Sequence, residues 1–350
     1  MNLYLHFPFC RSKCAYCALH SHADRPAPER HAYVERLAAD LKEHFRGSGG
    51  RPLSTLYFGG GTPALCDLSP ILDIVRRQER SSQFEFTVEL NPLDASPGLL
   101  SKLRGGGVNR ISMGVQSFDD NVLKSMGRPH CAEQALNAWR MIRDAGFDNA
   151  GIDLICGWPK CGTDAAPSGA WSRTLDTAVS LAPDHCSVYT LMLEPETRLA
   201  RDVDAGRISL PSDETALSEL AEAEHALGSV GLERYEISSF AKPGKECRHN
   251  LATWRGEDYT GMGEGACSRE GDAVSRVIFR LRLLKEGFSP SAAAADFPEL
   301  APRVDEWNET LNRFTEEGLL TSSRSDNAAA TYRLTPRGTE VCDTILAELV

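Results

Sequence analysis

Six short apolar segments alternate with longer amphipathic ones up to about residue 233, and this rhythm constrains the fold more than any other feature. The apolar runs are "LYLHFPF" (3–9), "STLYFGGG" (54–61), "FEFTVELNP" (84–92), "NRISMGVQSF" (109–118), "AGIDLICGWP" (150–159) and "HCSVYTLMLEP" (185–195). Between them lie helical patterns such as "ERHAYVERLAADLKEHFRG" (29–47), "CAEQALNAWRMIRDAGF" (131–147) and "ETALSELAEAEHALGSVG" (214–231). Strands separated by helices predict parallel βα units, hence an α/β fold. The runs read as strands that are apolar on both faces, as buried parallel strands are. Six units fall short of a closed eight-stranded barrel. An open or partial barrel fits the count, and so does a doubly wound sheet.

Past residue 233 the rhythm breaks. We read 1–233 as the main unit and 234–350 as a smaller α+β unit. The end of that unit reads helix, hairpin, helix, in the manner of a winged-helix module. It shows no basic recognition helix, so a structural or lid role is expected there. The formal net charge of −11 over 350 residues argues against nucleic acid as a partner. No apolar run approaches the roughly 20 residues of a membrane span. The N-terminal run lacks a basic n-region, so it does not read as a signal peptide, and a cytoplasmic location is expected. Peripheral membrane association and a homodimer stay open.

The unusual residues gather at the C-terminal ends of the predicted strands, where βα folds build their sites. Gly59, Gly60, Gly61 and Thr62 follow the second strand, Glu89 and Asn91 close the third, and Gln116 and Ser117 close the fourth. Asp153 lies within the otherwise apolar fifth strand and costs several kcal/mol unless it meets a polar partner. After the first strand comes "CRSKCAYC", which sets Cys10, Cys14 and Cys17 in a C-x3-C-x2-C array. Eleven cysteines are too few for a disulfide scaffold in a chain this long, so clustered thiols suggest a metal. A structural zinc site wants four ligands, and His20 and His22 are near enough in sequence to supply one. A cubane iron–sulfur cluster takes four thiolates; three leave one iron open to an outside ligand.

The array resembles that of the radical S-adenosylmethionine (SAM) superfamily. "LYLHFPFCRSKCAYC", "YFGGGTP", "VELNP", "GVNRISMGVQSFDD", "LKSMGRPH", "RYEISSFAKPGKECRHN" and "GMGEGACS" look more closely like the oxygen-independent coproporphyrinogen oxidase group. Within it they look most like its haem chaperone (HemW) branch. The resemblance implies a partial (β/α)6, TIM-like barrel over 1–233 and a HemN-type C-terminal domain over 234–350. It implies a [4Fe–4S] cluster on Cys10, Cys14 and Cys17, with SAM on the open iron. Tyr4 would lie beside the methionyl group, and Tyr16 would offer backbone to the adenine. Gly60, Gly61 and Thr62 would meet the amino group. Glu89, Gln116, Arg128 and Asp153 would complete the pocket, Arg128 being suited to a carboxylate. Haem and a haem-accepting protein become the expected partners, and His249 in "HNLATW" (249–254) becomes a candidate haem ligand. The coproporphyrinogen dehydrogenases carry a further cysteine where this chain has Leu19. Thr253, Cys267 and "CGWPKCGTD" (156–164) also depart from the group's pattern. The alternative is a radical SAM enzyme acting on a porphyrin: a coproporphyrinogen III dehydrogenase, a methyltransferase or a haem-degrading enzyme.

Overall fold

The computed structural model of the chain describes residues 1–159, 169–323 and 329–350. Of the "CGWPKCGTD" motif, residues 160–164 lie outside the described residues. β1 (Asn2–Phe7) leads into a short parallel pair, β2 (Phe9–Cys10) with β3 (His22–Ala23). There follow α1 (Ala27–Gly47), β4 (Leu53–Gly60), α2 (Ser69–Val75), β5 (Arg80–Leu90), α3 (Pro97–Gly105) and β6 (Arg110–Gln116). Then come α4 (Asp120–Met126), α5 (Ala132–Asp144), β7 (Ala150–Cys156), α6 (Ala170–Ser180), β8 (His185–Thr190), α7 (Arg198–Asp204) and α8 (Asp213–Gly228).

β1, β4, β5, β6, β7 and β8 pair in sequence order, every pair parallel. An order that never reverses is a singly wound, barrel-type sheet, which decides against the doubly wound alternative. The strands are not apolar on both faces. Leu3, Leu5, Phe7, Phe58, Phe86, Val88, Ile111, Met113, Ile152, Leu154 and Val188 point outward and are buried in one core with α1, α2, α3, α5 and α6. The alternate positions turn inward and are polar: Tyr4 sits beside Tyr57 and Tyr57 beside Thr87, while Asp153 stands between Gly114 and Ser187. Period-two alternation thus builds a barrel with an apolar jacket and a polar lumen.

The chain past residue 233 returns to this sheet. β9 (Glu233–Arg234) and β10 (Ser239–Ala241) extend the β8 edge in antiparallel fashion. α9 (Arg248–Trp254) precedes β11 (Tyr259–Met262), which lies parallel to β1 at the opposite edge. A second apolar core, with Val277, Phe288, Trp307, Leu311, Tyr332 and Ile345, gathers the remaining elements. These are α10 (Ala273–Ile278), α11 (Pro290–Asp296), α12 (Val304–Glu316), the antiparallel pair β12 (Leu320–Ser323) with β13 (Thr331–Leu334), α13 (Pro336–Glu340) and α14 (Cys342–Ala347). Among the described residues no helix is long and apolar enough to cross a membrane.

Candidate functional site

A cavity of about 630 Å³ opens at the C-terminal ends of the barrel strands. That is the size of a pocket for a small cofactor. Its lining includes Cys10, Cys14, Tyr16, Cys17, Gly60, Gly61, Thr62, Glu89, Gln116, Arg128 and Asp153. Of the residues singled out from the sequence, Tyr4, His20, His22, Gly59, Ser117 and His249 do not line it.

The cysteine loop is held at both ends and in the middle. Pro8 O accepts from His22 N, which closes the loop through the β2–β3 pair. Ala15 N donates to Met126 O at the end of α4, and Leu199 N donates to Ala15 O at the start of α7. Arg11 binds Asp94 Oδ1 through Nε at 3.0 Å and through NH2 at 2.6 Å. Burial pushes the Cys10 and Cys17 thiols above their usual range, so each keeps its proton until a metal displaces it. Sulfurs around one zinc ion stand about 3.8 Å apart. Among the described residues these three do not gather within 4.8 Å of one another. Nor do His20 and His22 join them: both turn to Glu264 instead.

The glycine run is shaped first by packing. A Cβ at Gly61 would lie 2.5 Å from Phe9 O and 2.7 Å from Phe7 O. Gly60 has φ +101°, and a Cβ there would strike the His6 ring. Only glycines let β4 end against the strand that carries Cys10. Thr62 Oγ1 accepts from Asn91 Nδ2 at 2.7 Å, and Asn91 Oδ1 accepts from Arg128 at 2.5 Å. Arg128 follows Gly127, whose left-handed φ of 72° ends α4 and turns the side chain into the cavity. The Arg128 guanidinium also donates to Gly114 O at 2.5 Å and lies 3.5 Å from Cys14 Sγ.

Two carboxyls lie on the lumen side. Glu89 accepts from Tyr57 Oη at 2.8 Å and from Gly60 N at 3.2 Å. Asp153 accepts from Ser112 Oγ at 3.1 and 3.2 Å. Neither forms an ion pair with a described residue within 4.0 Å. Burial raises both above the ordinary carboxylate range, Glu89 to about 7. Arg110 acts on both carboxyls and Arg128 on Asp153, but burial outweighs them, so the cavity favours a cationic or strongly donating ligand there. Further groups inside it wait for partners: Gln116 Oε1, Arg128 Nε and Asp94 Oδ2 are buried without one. Gln116 holds φ +71°, an uncommon and costly conformation for a residue with a side chain, at the strand end that faces the cavity.

His249 lies elsewhere. "HNLATW" is not extended; it forms most of α9, which plugs the N-terminal half of the barrel. The His249 ring is 7% exposed and shares a 2.9 Å hydrogen bond between Nδ1 and Thr55 Oγ1. It packs against Tyr57, Tyr259 and Tyr4. Burial first, then Arg110, lowers its pKa to about 4, so the imidazole is neutral. Tyr4 belongs to this same cluster, with its Oη 3.1 Å from His6 Nδ1. Cys247 is a buried thiol pushed up to about 12, donating toward Glu85. Asn91, Asp94 and Arg11 are the site residues that the sequence reading passed over or left without a role. "VELNP" held the signal for Asn91, whereas nothing local pairs Arg11 with Asp94.

Residues 4–161 match the Radical SAM superfamily. The structure is similar over 99% of this chain and 89% of the other to the coproporphyrinogen III oxidase HemN of Escherichia coli, a radical SAM enzyme, with a TM-score of 0.80 at 22% identity. Fold and thiol site together define a radical SAM protein, a class that holds a [4Fe–4S] cluster and SAM. The chain is 36% identical over 271 residues to the heme chaperone HemW of Escherichia coli, covering 76% of this chain and 69% of that one. It is 34% identical over 270 residues to HemW of Bacillus subtilis, covering 76% and 70%. It belongs to the HemW haem chaperone family. A mitochondrial radical SAM domain-containing protein 1 of Bos taurus is 33% identical over 271 residues, covering 76% and 60%.

Proposed function

We propose that this chain binds haem and passes it to a haem-accepting protein, with a [4Fe–4S] cluster and SAM seated at the barrel mouth. Cys10, Cys14 and Cys17 would hold the cluster. When bound, the two cofactors supply one-electron chemistry. The chain's own groups bind and orient them. The buried carboxyls of Glu89 and Asp153, both raised by burial, suit the positive and hydroxyl groups of SAM. Gly60, Gly61 and Thr62 suit its ammonium, Arg128 its carboxylate, Tyr16 its adenine, and Gln116 Oε1 a further donor.

The observation that carries the haem reading is the rim of the cavity. Leu19, Tyr189, Met192 and Leu193 are four of the eight large apolar side chains left exposed among the described residues. Three of them line this one opening. Leu19 stands where the dehydrogenase branch carries a cysteine. A flat apolar macrocycle fits such a rim, and Lys13 on the same loop carries a charge suited to a propionate. His249 can ligate haem iron only if α9 leaves the barrel, whereas the rim needs no such movement. Free thiols at all ten described cysteines fit a reducing, cytoplasmic setting.

Haem-loaded protein mixed anaerobically with the apo form of a haem acceptor provides the test. Loss of this protein's Soret band with gain of the acceptor's, slowed by Met192→Glu but not by His249→Ala, is the expected result. Haem that stays bound, or that never binds, overturns the reading.

A further inference from the structure

Outside the barrel mouth, His20, His22 and Glu264 bring their donor atoms within 4.8 Å of one another. We propose that these three side chains form a second metal site, for a zinc-class divalent ion, which clamps the cysteine loop to the loop after β11.

The donors converge on one point. Glu264 Oε1 accepts from His20 Nε2 at 2.8 Å and from His22 Nε2 at 3.0 Å, and the two rings meet edge to face at 5.1 Å. Ligands at about 2.0–2.2 Å around a tetrahedral ion stand about 3.3 Å apart. An outward shift of a few tenths of an ångström, with each ring proton moved from Nε2 to Nδ1, therefore turns both Nε2 lone pairs and the carboxylate onto one ion. Two imidazoles with one carboxylate are a borderline donor set, suited to zinc or a neighbouring transition ion and not to calcium. His20 and Glu264 are about half exposed, which leaves a coordination position for water.

Each ligand is held from behind. His22 lies in β3, paired with Phe9. His20 O accepts from His6 Nε2 at 2.8 Å. Glu264 N donates to Tyr33 Oη at 3.0 Å, and that buried hydroxyl donates to His6 O at 2.7 Å. Gly265 has φ +83°, and a Cβ there would enter the His20 ring at 2.8 Å, so the glycine gives His20 its place. The span 19–22 also carries Leu19 and Ser21 of the cavity wall. An ion here would stiffen one side of the mouth through a loop that lies more than 200 residues away in sequence.

Zinc added to anaerobically prepared, cluster-loaded protein tests this, because the loaded cluster occupies the three thiols. Metal content after dialysis and calorimetric titration give stoichiometry and affinity, and hydrogen exchange of residues 17–23 gives the clamp. We expect one zinc per chain, slowed exchange in that segment, and weakening by more than about 100-fold in Glu264→Gln and in His20→Ala. Both variants lie on exposed side chains, and unchanged iron content shows that they fold. No zinc beyond trace, or equal zinc affinity in wild type and both variants, overturns the site.

Discussion

Replacing Glu89 with glutamine removes one titratable proton while nearly preserving the side chain's shape. In the folded chain burial raises the Glu89 carboxyl from the usual 4.5 to about 7. The folded state therefore binds more protons than the unfolded state between those values. Ionisation opposes folding there: no penalty exists below pH 4.5, and the full penalty is reached above pH 7. A shift of that size corresponds to about 3 kcal/mol. Glu89→Gln carries no such penalty. Its stability relative to wild type, measured by urea unfolding of SAM-free protein under reductant, should rise by about 3 kcal/mol from pH 4.5 to pH 8. Any constant offset from the Gly60 N contact cancels in that difference. SAM should raise the stability of wild type far more than that of the variant, because a positive ligand removes the ionisation penalty. Parallel pH curves for the two proteins would refute the claim that burial outweighs the groups around Glu89 and raises its carboxyl.

Further outcomes follow from the same geometry. Gly61→Ala places a methyl group against two backbone carbonyls that cannot give way. It should cost about 1–3 kcal/mol in unfolding free energy and lower the iron bound per chain. Arg128→Lys keeps the charge but loses the forked contacts to Asn91 and Gly114. SAM affinity by equilibrium dialysis should fall at least about 10-fold with iron content unchanged. A paired Leu19→Glu, Met192→Glu change puts two carboxylates on the apolar rim. Haem affinity by Soret titration should fall about 10-fold or more, and an unchanged affinity would move the haem site off the rim.

Much of this site is legible along the chain because βα folds bring strand ends together whatever their distance in sequence. Once the six strands are placed, the cysteines, Gly60, Thr62, Glu89 and Gln116 must share one mouth, whereas Arg128, past the end of α4, came from the family resemblance. Asp153 was read as an inward polar residue, and it is one. The lumen was harder. The strands were read as apolar on both faces because Tyr4, Tyr57 and Ile155 hide the alternation in three of them, although "FEFTVEL" (84–90) shows it openly. Only pairing shows that Glu85, Thr87, Glu89, Arg110, Ser112 and Ser187 line one inner face. α9 and β11 were missed as elements. Both are short, and their stability comes from docking against strands roughly 200 residues earlier, which no local pattern records. Tyr4 and His249 fall outside the cavity wall for the same reason. Their position depends on α9 filling the lower barrel, where His249 meets Thr55 and Tyr57. His20 and His22 were considered as partners of the cysteine array, whereas both turn to Glu264, which lies more than 200 residues away.

The central claim is that haem is carried and not consumed. Its most direct test supplies anaerobically reconstituted protein with SAM, a strong reductant and haem, and in a parallel sample with coproporphyrinogen. Mass spectrometry then follows the porphyrin and 5′-deoxyadenosine together. The account predicts haem recovered at unchanged mass, coproporphyrinogen left intact, and no 5′-deoxyadenosine formed in proportion to either. Coproporphyrinogen losing two carboxyl groups, or haem returning methylated or ring-opened, would contradict it.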